Sequence, residues 1–382
     1  MIKILLDPQI FDMQTYGGIS RYYTEIFSRL KKNKELSIKL PIDTSNNVYI
    51  INSGLLKEKE LAAYFIKILN ALRISTRSLN RKLVKKKIRK AFTEKYDLVI
   101  PTYYDPYFLE VLDGTPFVLT VYDMVHELMP QYFTDDPWNV TENKKRLLEK
   151  ATKIIAVSKN TKKDIIKVYP HIDQSKIEVI YHGNSIEVNE NINVDLPKNY
   201  ILFVGSRGLY KNFYFLVESI RDLLIRDKTL KLICAGGGEF KDEEMEFLKR
   251  AGIHEQVEQK YFDEGQLGLF YKNARCFVFP SLYEGFGIPV LESMSCGCPI
   301  VLSNRSSFPE VAGEAGIYFD VSSKEDLMNK IELVLNDEKL KNEYILKGIE
   351  QAKKFNWEIA ASQCLELYKR AINEAYRVQS KI

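Results

Sequence analysis

The sequence lacks the features that would place it across a membrane, in an export pathway, or among disulfide-bonded and zinc-binding proteins. No window approaches the roughly 18 consecutive apolar residues of a spanning helix. The first residues, MIKILLD, do not resemble a signal peptide. The five cysteines form no Cys-x-x-Cys pair, which argues against a disulfide framework and a structural zinc site. We therefore expect a soluble, cytoplasmic protein.

A dinucleotide-binding fingerprint is also missing. The first predicted strand, IKILLD (2–7), is followed by DPQIFDMQTYGGIS, which contains no G-x-G-x-x-G. No such motif can be drawn through AGGGEF (235–240) either. A nicotinamide-dependent oxidoreductase is therefore disfavoured.

What the sequence does contain is an alternation of short apolar runs and amphipathic stretches, repeated twice over 382 residues. This alternation is typical of doubly wound α/β domains, and the length suits two of them. The polar segment 185–200 separates the two series, so we predict domains at 1–190 and 191–360. A final helix is predicted from Trp357 to about Gln379. The further predicted strands are YDLVIP (96–101), PFVLTVYD (116–123), KIIAVS (153–158), IEVIYHG (177–183), ILFVGS (201–206), KLICAG (231–236), VEQKYF (257–262), CFVFPS (276–281) and PIVLSN (299–304).

Positive charge is concentrated in the segment 73–90, and no acidic residue occurs between Leu61 and Thr93. The segment is either a solvated helix face or a surface that attracts anionic lipid headgroups or a phosphate-bearing acceptor. In the second case the protein would associate with the inner face of the cell membrane. No recognised nucleic-acid-binding module accompanies the charge, so nucleic acid is not an expected partner.

The segment VGSRGLYKN (204–212) follows the first predicted strand of the second series, at the carboxyl edge where open α/β sheets bind ligands. Gly205 and Gly208 let a ligand approach the backbone closely. Arg207 and Lys211 put two cations at the entrance of the next helix, which suits a diphosphate. The alternative is a surface loop with two solvated charges.

A second loop at the same kind of edge lies within PSLYEGFGIPVLE (280–292). Pro289 suits the start of a helix, which would put Glu292 in the first helical turn and Glu284 in the preceding loop. Carboxylates bind pairs of sugar hydroxyls well, because each oxygen accepts hydrogen bonds. The alternative is that Glu292 complements the helix dipole while Glu284 is solvated.

Together these segments resemble the retaining nucleotide-sugar glycosyltransferases of the GT-B fold, in family four of that class. The family pattern E-G-F-G-x-P-x-x-E-A-M-A-x-G-x-P-V is matched from Glu284 onward, with Ser293 and Ser295 in place of two alanines. The resemblance covers most of the chain and extends to VGSRGLYKN, IAVSKNTKKDI (155–165), VIYHGN (179–184) and YGGISRY (16–22).

This resemblance implies a fold of two Rossmann-like, doubly wound parallel-sheet domains facing a cleft. A C-terminal helix of about 361–382 would pack back on the first domain. The implied activity is retaining transfer of a hexose, of mannose or glucose type, from a GDP- or UDP-sugar to a glycan or polyprenyl-linked saccharide in surface polysaccharide or lipopolysaccharide biosynthesis. No metal or other cofactor is expected, consistent with the lack of an Asp-x-Asp motif and of a histidine cluster.

The resemblance also implies roles for individual residues. Arg207 and Lys211 would hold the diphosphate, Glu292 the ribose and Glu284 the transferred sugar. The loop at Gly17 and Gly18 would close over the diphosphate from the first domain. The remaining donor-binding positions would be Gly205, Gly285, Phe286, Gly287, Ile288 and Leu291.

Acceptor-side residues are predicted in the first domain. His126 follows a strand, but the family's histidine commonly lies one position before an aspartate, whereas here it lies three after Asp123. It is either a site residue or a packed, neutral histidine. Tyr103, Tyr104 and Asp105 either line an acceptor groove, where rings stack on sugars, or pack in the core or at its rim.

Two other functions remain open from the sequence. A nucleotide-sugar epimerase or a phosphorylase could share the fold, although the paired glutamates and the lack of a lysine suited to pyridoxal phosphate favour the transferase. A non-catalytic, two-lobed sugar-binding protein would require export.

Overall fold

The computed structural model describes residues 1–56, 87–263 and 265–379. The described chain divides into two units. Unit 1 comprises residues 1–157, 161–182 and the chain from Trp357, and unit 2 comprises 158–160 and 183–356. The chain passes from unit 1 to unit 2 after His182, which precedes the predicted domain boundary at residue 190. Within the predicted basic segment 73–90, residues 73–86 lie outside the described residues, and 87–91 are helical.

Unit 1 is built on parallel strands, and strands such as Leu98–Ile100 have continuous apolar runs because helices cover both faces of such sheets. Two three-stranded sheets have the orders β2-β1-β3 and β4-β5-β6. An isolated parallel bridge between Val99 and Phe117 joins β3 to β4. The strand bounds are β1 Ile2–Leu6, β2 Leu36–Lys39, β3 Leu98–Ile100, β4 Val118–Val121, β5 Lys153–Ala156 and β6 Ile177–Val179.

Unit 2 has one six-stranded parallel sheet with the order β12-β11-β10-β7-β8-β9. The chain runs outward from β7 through β8 to β9, then returns to the other side of β7 and continues through β10 to β12. The order therefore reverses between β7 and β10, and open α/β sheets bind ligands at such a switch point. The strand bounds are β7 Tyr200–Val204, β8 Lys231–Ala235, β9 Val257–Lys260, β10 Cys276–Phe279, β11 Ile300–Ser303 and β12 Gly316–Phe319.

Helices connect these strands, as parallel sheets require. None of the helices in residues 1–56, 87–263 and 265–379 is both long and apolar enough to cross a membrane. In unit 1 the helix bounds are Gln9–Met13, Gly18–Leu30, Val48–Asn52, Val125–Leu128, Val140–Lys150, Trp357–Gln379 and Lys159–Val168, the first two residues of which belong to unit 2. In unit 2 they are Phe213–Arg226, Asp242–Ala251, Leu267–Asn273, Ile288–Ser295, Phe308–Ala312, Lys324–Asn336 and Glu338–Ala352.

Two strands, β2 and β12, are absent from the sequence prediction. Both are edge strands. The residues of β2 are half-buried or exposed along its whole length, and β12 begins with a glycine. Neither segment has the long apolar run by which the central strands were found, because an edge strand has a neighbour on one side only.

The final helix has the extent that the sequence predicted, Trp357–Gln379. It packs against the helix Gly18–Leu30 of unit 1. The hydroxyl of Tyr22 lies 3.5 Å from the Cys364 thiol, and the rings of Phe27 and Tyr368 stack with centroids 6.4 Å apart. The chain thus returns to unit 1 after completing unit 2.

Candidate active site

The switch point of the unit 2 sheet brings the two predicted donor loops together. One loop follows β7 and the other follows β10, which is its neighbour in the sheet. A backbone hydrogen bond of 2.8 Å from Leu282 N–H to the Tyr210 carbonyl links them directly. The loop after β7 leads into the helix Phe213–Arg226, which has no side-chain capping bond at its N-terminus. Its first N–H groups therefore add positive potential at this edge.

Lys211 and Glu284 form an ion pair across the two loops. The Nζ of Lys211 lies 2.5 Å from Oε1 of Glu284. The two side chains are 20% and 15% exposed, so they remain within reach of a ligand. The ammonium also lies 5.0 Å from the ring centroid of Tyr210. Residues 73 positions apart in sequence thus form one polar centre.

Two serines after β11 hold the loop that carries Glu284. The backbone N–H of Glu284 donates to Oγ of Ser306 at 3.1 Å. Oγ of Ser307 donates to the carbonyls of Glu284 and Phe286, both at 2.9 Å. Gly287 then adopts φ 88°, a left-handed conformation that favours glycine, and caps the helix Ile288–Ser295. These bonds fix the loop independently of any ligand.

Glu292 lies deeper than the sequence suggested. The helix begins at Ile288, one residue before Pro289, so Glu292 lies in the second turn and not in the first. Its side chain is buried, and Oε2 accepts a 3.1 Å hydrogen bond from the hydroxyl of Tyr271. Burial and the nearby Glu292 charge raise the pKa of Tyr271 well above its usual value, so it remains a neutral donor. Tyr271 lies on another helix, and no sequence motif had indicated it.

Three predicted donor-binding residues near Glu284 differ in exposure. The side chain of Leu291 is fully buried in the core, and that of Phe286 is buried against Phe355 at a centroid distance of 5.7 Å. Ile288 is half-buried. The Leu291 side chain is therefore not exposed, and its contact with the donor stays a prediction. Phe286 can contribute only through its backbone.

Arg207 does not present its guanidinium to solvent. Its side chain is 2% exposed and pairs with Glu244, with Nε 3.1 Å from Oε1. Nη1 donates to the Gly236 carbonyl at 3.3 Å, and Nη2 donates to the carbonyls of Gly238 and Glu239 at 3.1 and 2.7 Å. The sequence predicted a cation at a helix entrance, and the structure has a cation that binds the protein's own loop. The partner, Glu244, was not anticipated.

The loops at this edge leave open space at three glycines. A Cβ placed on Gly205, Gly208 or Gly238 would meet no atom of the described residues within 4 Å. Gly237 is different, since its Cβ would lie 2.4 Å from the Gly205 carbonyl oxygen. The loops after β7 and β8 therefore touch at Gly237 and leave open space at Gly205, Gly208 and Gly238.

In unit 1, Gly17 and Gly18 lie at the start of a 13-residue helix. Gly17 is the N-cap, and its carbonyl accepts from Arg21 N–H at 3.1 Å. No side-chain hydrogen bond caps this end. Gly18 is exposed. The role of the loop toward a diphosphate stays a prediction.

The predicted acceptor residues of unit 1 separate into buried and exposed groups. Tyr104 is buried, with the Lys144 ammonium 5.0 Å from its ring centroid. Its burial agrees with the core-packing alternative, while an acceptor contact stays a prediction. Tyr103 is half-buried beside it, at a centroid distance of 4.8 Å. Asp105 is exposed and caps a short 3₁₀ helix through Tyr107 N–H at 3.2 Å.

An acid at the end of β1, Asp7, is buried beside this segment. Its carboxylate accepts hydrogen bonds from the Tyr107 hydroxyl at 2.5 Å and from the Gln9 amide. Gln9 in turn bonds both the N–H and the carbonyl of Asp105, at 2.9 and 3.0 Å. Burial raises the pKa of Asp7 to about 7, although the hydrogen bonds oppose the shift. An acid directly after a strand was the only sequence signal for this network.

His126 is half-buried, and its ring lies on that of Phe133 with centroids 4.1 Å apart. Burial lowers its pKa, with Asp123 acting in the opposite direction. The neighbouring Glu127 is buried in an ion pair with Lys144 at 3.0 Å. The histidine is therefore neutral at physiological pH, as in the packed alternative, while a contact with acceptor stays a prediction.

Two family models match successive parts of the chain. The model described as Glycosyltransferase Family 4 matches residues 49–187, and the one described as Glycosyl transferases group 1 matches residues 185–351. The second match contains both loops of the unit 2 switch point.

Named relatives are similar over part of their length. The O-antigen chain mannosyltransferase B of Escherichia coli is 29% identical over 282 residues, which is 70% of this chain and 73% of the relative. A Campylobacter jejuni enzyme, the N-acetylgalactosamine-N,N'-diacetylbacillosaminyl-diphospho-undecaprenol 4-alpha-N-acetylgalactosaminyltransferase, is 31% identical over 55% of this chain. That alignment spans 58% of the relative's own length.

Solved structures share the fold at low sequence identity. Anabaena HepE in complex with UDP and glucose has a TM-score of 0.69 and 17% identity, covering 96% of this chain and 99% of the other. The sucrose-phosphate synthase of Thermosynechococcus elongatus has a TM-score of 0.73 and 17% identity, covering 98% and 100%. The two matched models and the shared architecture together identify the chain as a glycosyltransferase of the GT-B fold and a member of family four.

Proposed function

We propose that the protein transfers a hexosyl group of mannose or glucose type from a nucleoside diphosphate sugar, with retention of anomeric configuration. Unit 2 is proposed to bind the donor and unit 1 to supply the residues for a glycan or lipid-linked saccharide acceptor. The pathway proposed is surface polysaccharide biosynthesis, since the Escherichia coli relative is named for an O-antigen chain and the Campylobacter relative for an undecaprenol-linked saccharide. HepE, which shares the fold, was solved with UDP-glucose.

One observation carries the donor assignment: the switch point of unit 2 pairs Lys211 with Glu284. An ammonium suits a phosphate oxygen, and a carboxylate suits sugar hydroxyls. When a donor binds, Lys211 would turn to the diphosphate and Glu284 to the sugar. Glu292, held by Tyr271, would accept from the ribose hydroxyls.

The proposed reaction breaks the bond between the anomeric carbon and the leaving phosphate oxygen. The acceptor hydroxyl forms its bond to that carbon on the same face, and its proton passes to the departing phosphate. The phosphate oxygen keeps the electron pair of the broken bond, so negative charge develops on it in the transition state before the proton arrives. Lys211 and the N-terminus of the helix Phe213–Arg226 would stabilise this charge by preorganised positive potential. We propose that no metal takes part, and so expect full activity in a chelator.

The first test measures nucleotide release from a panel of GDP- and UDP-sugars, with and without lipid extract. We expect release from one donor class that increases when acceptor is present. Conversion of the donor into a different nucleotide sugar in the absence of acceptor would instead favour an epimerase. Binding without any turnover would favour a sugar-binding protein, and failure to bind any nucleoside diphosphate would overturn the assignment of unit 2.

A sharper test replaces Glu284 by alanine. We expect transfer to fall by about 100-fold or more, because the sugar loses a positioning group in the reacting complex. The matched control is Glu258→Ala, which removes a carboxylate of β9 that pairs at 3.4 Å with Lys231, at the amino end of β8 in the same sheet. This control should retain wild-type activity. A fully active Glu284→Ala protein would refute the sugar-contact role.

A further inference from the structure

A buried ion pair joins a loop to a helix at the carboxyl edge of the unit 2 sheet. Arg207 lies in the loop after β7, and Glu244 lies in the helix Asp242–Ala251 after β8. Two hydrogen bonds connect them, Nε to Oε1 at 3.1 Å and Nη2 to Oε2 at 3.2 Å. Glu244 is only 7% exposed, and its Oε2 also accepts from Lys241 N–H at 2.9 Å. Removing either partner would leave an uncompensated buried charge, which strongly lowers the free energy of unfolding.

The rest of the guanidinium binds the loop 236–239. Three carbonyls accept from it, those of Gly236, Gly238 and Glu239. Its carbon also lies 4.5 Å from the ring centroid of Phe240. Planar guanidinium groups suit such multiple, fixed contacts, whereas an ammonium has no equivalent geometry. The Arg207 side chain is therefore directed at the protein.

The clamped loop is one that needs external support. Gly236, Gly237 and Gly238 have φ values of 77°, 73° and 78°, so three consecutive residues adopt the left-handed conformation. Glycine has the greatest backbone freedom to lose on ordering. The loop also approaches the Gly205 carbonyl so closely that no side chain fits at Gly237. The Arg207–Glu244 pair thus fixes the spacing between the loops after β7 and β8.

We propose that Glu244 is a positioning residue for donor binding, which acts through Arg207 to hold the loop 236–239 against the loop 205–212. The inference rests on the proposed function of unit 2. Arg207 then serves as the clamp and not as a ligand of the diphosphate. Lys211 is the side-chain cation that meets the phosphates.

The two roles for Arg207 make opposite predictions about Glu244. If Arg207 bound the diphosphate directly, Glu244→Ala would free the guanidinium, and nucleotide affinity would stay constant or rise. If Glu244 positions the loops, Glu244→Ala and Arg207→Ala should each weaken binding by about 10- to 100-fold, as displaced binding groups do. The double variant should be no weaker than the weaker single variant, because both remove the same clamp.

The experiment titrates GDP and UDP into each purified protein by calorimetry and compares KM for the donor with KM for the acceptor. We expect the donor KM to rise and the acceptor KM to stay constant. Arg207→Lys should be as impaired as Arg207→Ala, since a lysine cannot bridge Glu244 and three carbonyls. If Glu244→Ala fails to fold, Glu244→Gln provides the test. We expect it to lose nucleotide affinity as well, but by a smaller factor.

Gln256 provides a matched control. It is buried in the same unit, and its amide bonds the carbonyls of Leu224, Asp227 and Leu230 at 2.7 to 3.1 Å, next to the amino end of β8. Gln256→Ala should lower thermal stability while nucleotide affinity stays unchanged. If the wild-type protein binds neither nucleotide, the proposed function fails. If it binds and both Glu244 variants bind equally well, the positioning role fails.

Discussion

Removing the Tyr271 hydroxyl tests whether the buried carboxylate of Glu292 belongs to the donor site. The change Tyr271→Phe keeps the ring, which is fully buried in the helix Leu267–Asn273. It deletes only the hydroxyl that donates to Glu292 at 3.1 Å. Because the two residues lie on different helices, this bond sets the orientation of the carboxylate and not that of the local backbone. We expect weaker donor binding.

The expected loss of donor affinity follows from the charge on the hydrogen-bond acceptor, the Glu292 carboxylate. Hydrogen bonds to charged groups contribute about 1.5–3 kcal/mol, against about 1 kcal/mol for neutral pairs. If the whole effect appeared in the donor Kd, the loss would be about 10- to 150-fold. Part of it should instead appear as lower stability, because a buried carboxylate oxygen loses a donor. We therefore expect a Kd increase of about tenfold with a reduced thermal midpoint.

Tyr200→Phe is the control. Tyr200 is also fully buried in unit 2, and its hydroxyl donates to the Phe270 carbonyl at 2.7 Å. It lies at the amino end of β7, away from the switch-point loops. Both variants should unfold at lower temperature, and only Tyr271→Phe should lose nucleotide affinity in calorimetry. Equal, wild-type affinity in both would refute the role of Glu292 toward the ribose.

Two further predictions concern a loop of unit 2 and the carboxyl end of β1. Gly208 has φ −82°, which alanine adopts without strain, and its Cβ position is open. Gly208→Ala should therefore keep the thermal midpoint but weaken nucleotide binding about tenfold. Unchanged affinity would mean that no donor approaches Gly208. Asp7 has its pKa raised from 3.8 to about 7, so the folded state holds the proton more tightly and stability falls as pH rises between those values. Asp7→Asn should remove this dependence, up to about 1.4 kcal/mol per pH unit, and parallel stability profiles of variant and wild type would contradict it.

The central strands could be predicted because burial on both faces requires continuous apolar residues. ILFVGS and CFVFPS contain most of β7 and all of β10, whose adjacency creates the switch point. The adjacency itself could not be derived from local pattern, since β8 and β9 lie between them in sequence. The edge strand β12 was missed for the opposite reason, as it has no sustained apolar run to detect.

Site residues could be predicted where their position follows from the local sequence, and they were missed where their position depends on partners distant in sequence. Glu284 and Lys211 follow strands, so their placement at one edge could be inferred from topology alone. The burial of Arg207 depends on Glu244, 37 positions away. Glu244 lies in the first turn of the helix Asp242–Ala251, where a glutamate often caps the helix. Nothing in the sequence therefore distinguished a capping role from a role as the partner of Arg207.

The two ion pairs of unit 2 therefore have different consequences for a charged ligand. Separating Lys211 from Glu284 costs less than separating a fully buried pair, because both side chains retain partial solvent contact. Separating Arg207 from Glu244 would leave a buried charge, at a cost of about 3–5 kcal/mol. A diphosphate can offset the first cost with one charge-assisted hydrogen bond, but it would have to exceed the second while also replacing three carbonyl contacts. Donor binding should accordingly exchange the partner of Lys211 and leave Arg207 with Glu244.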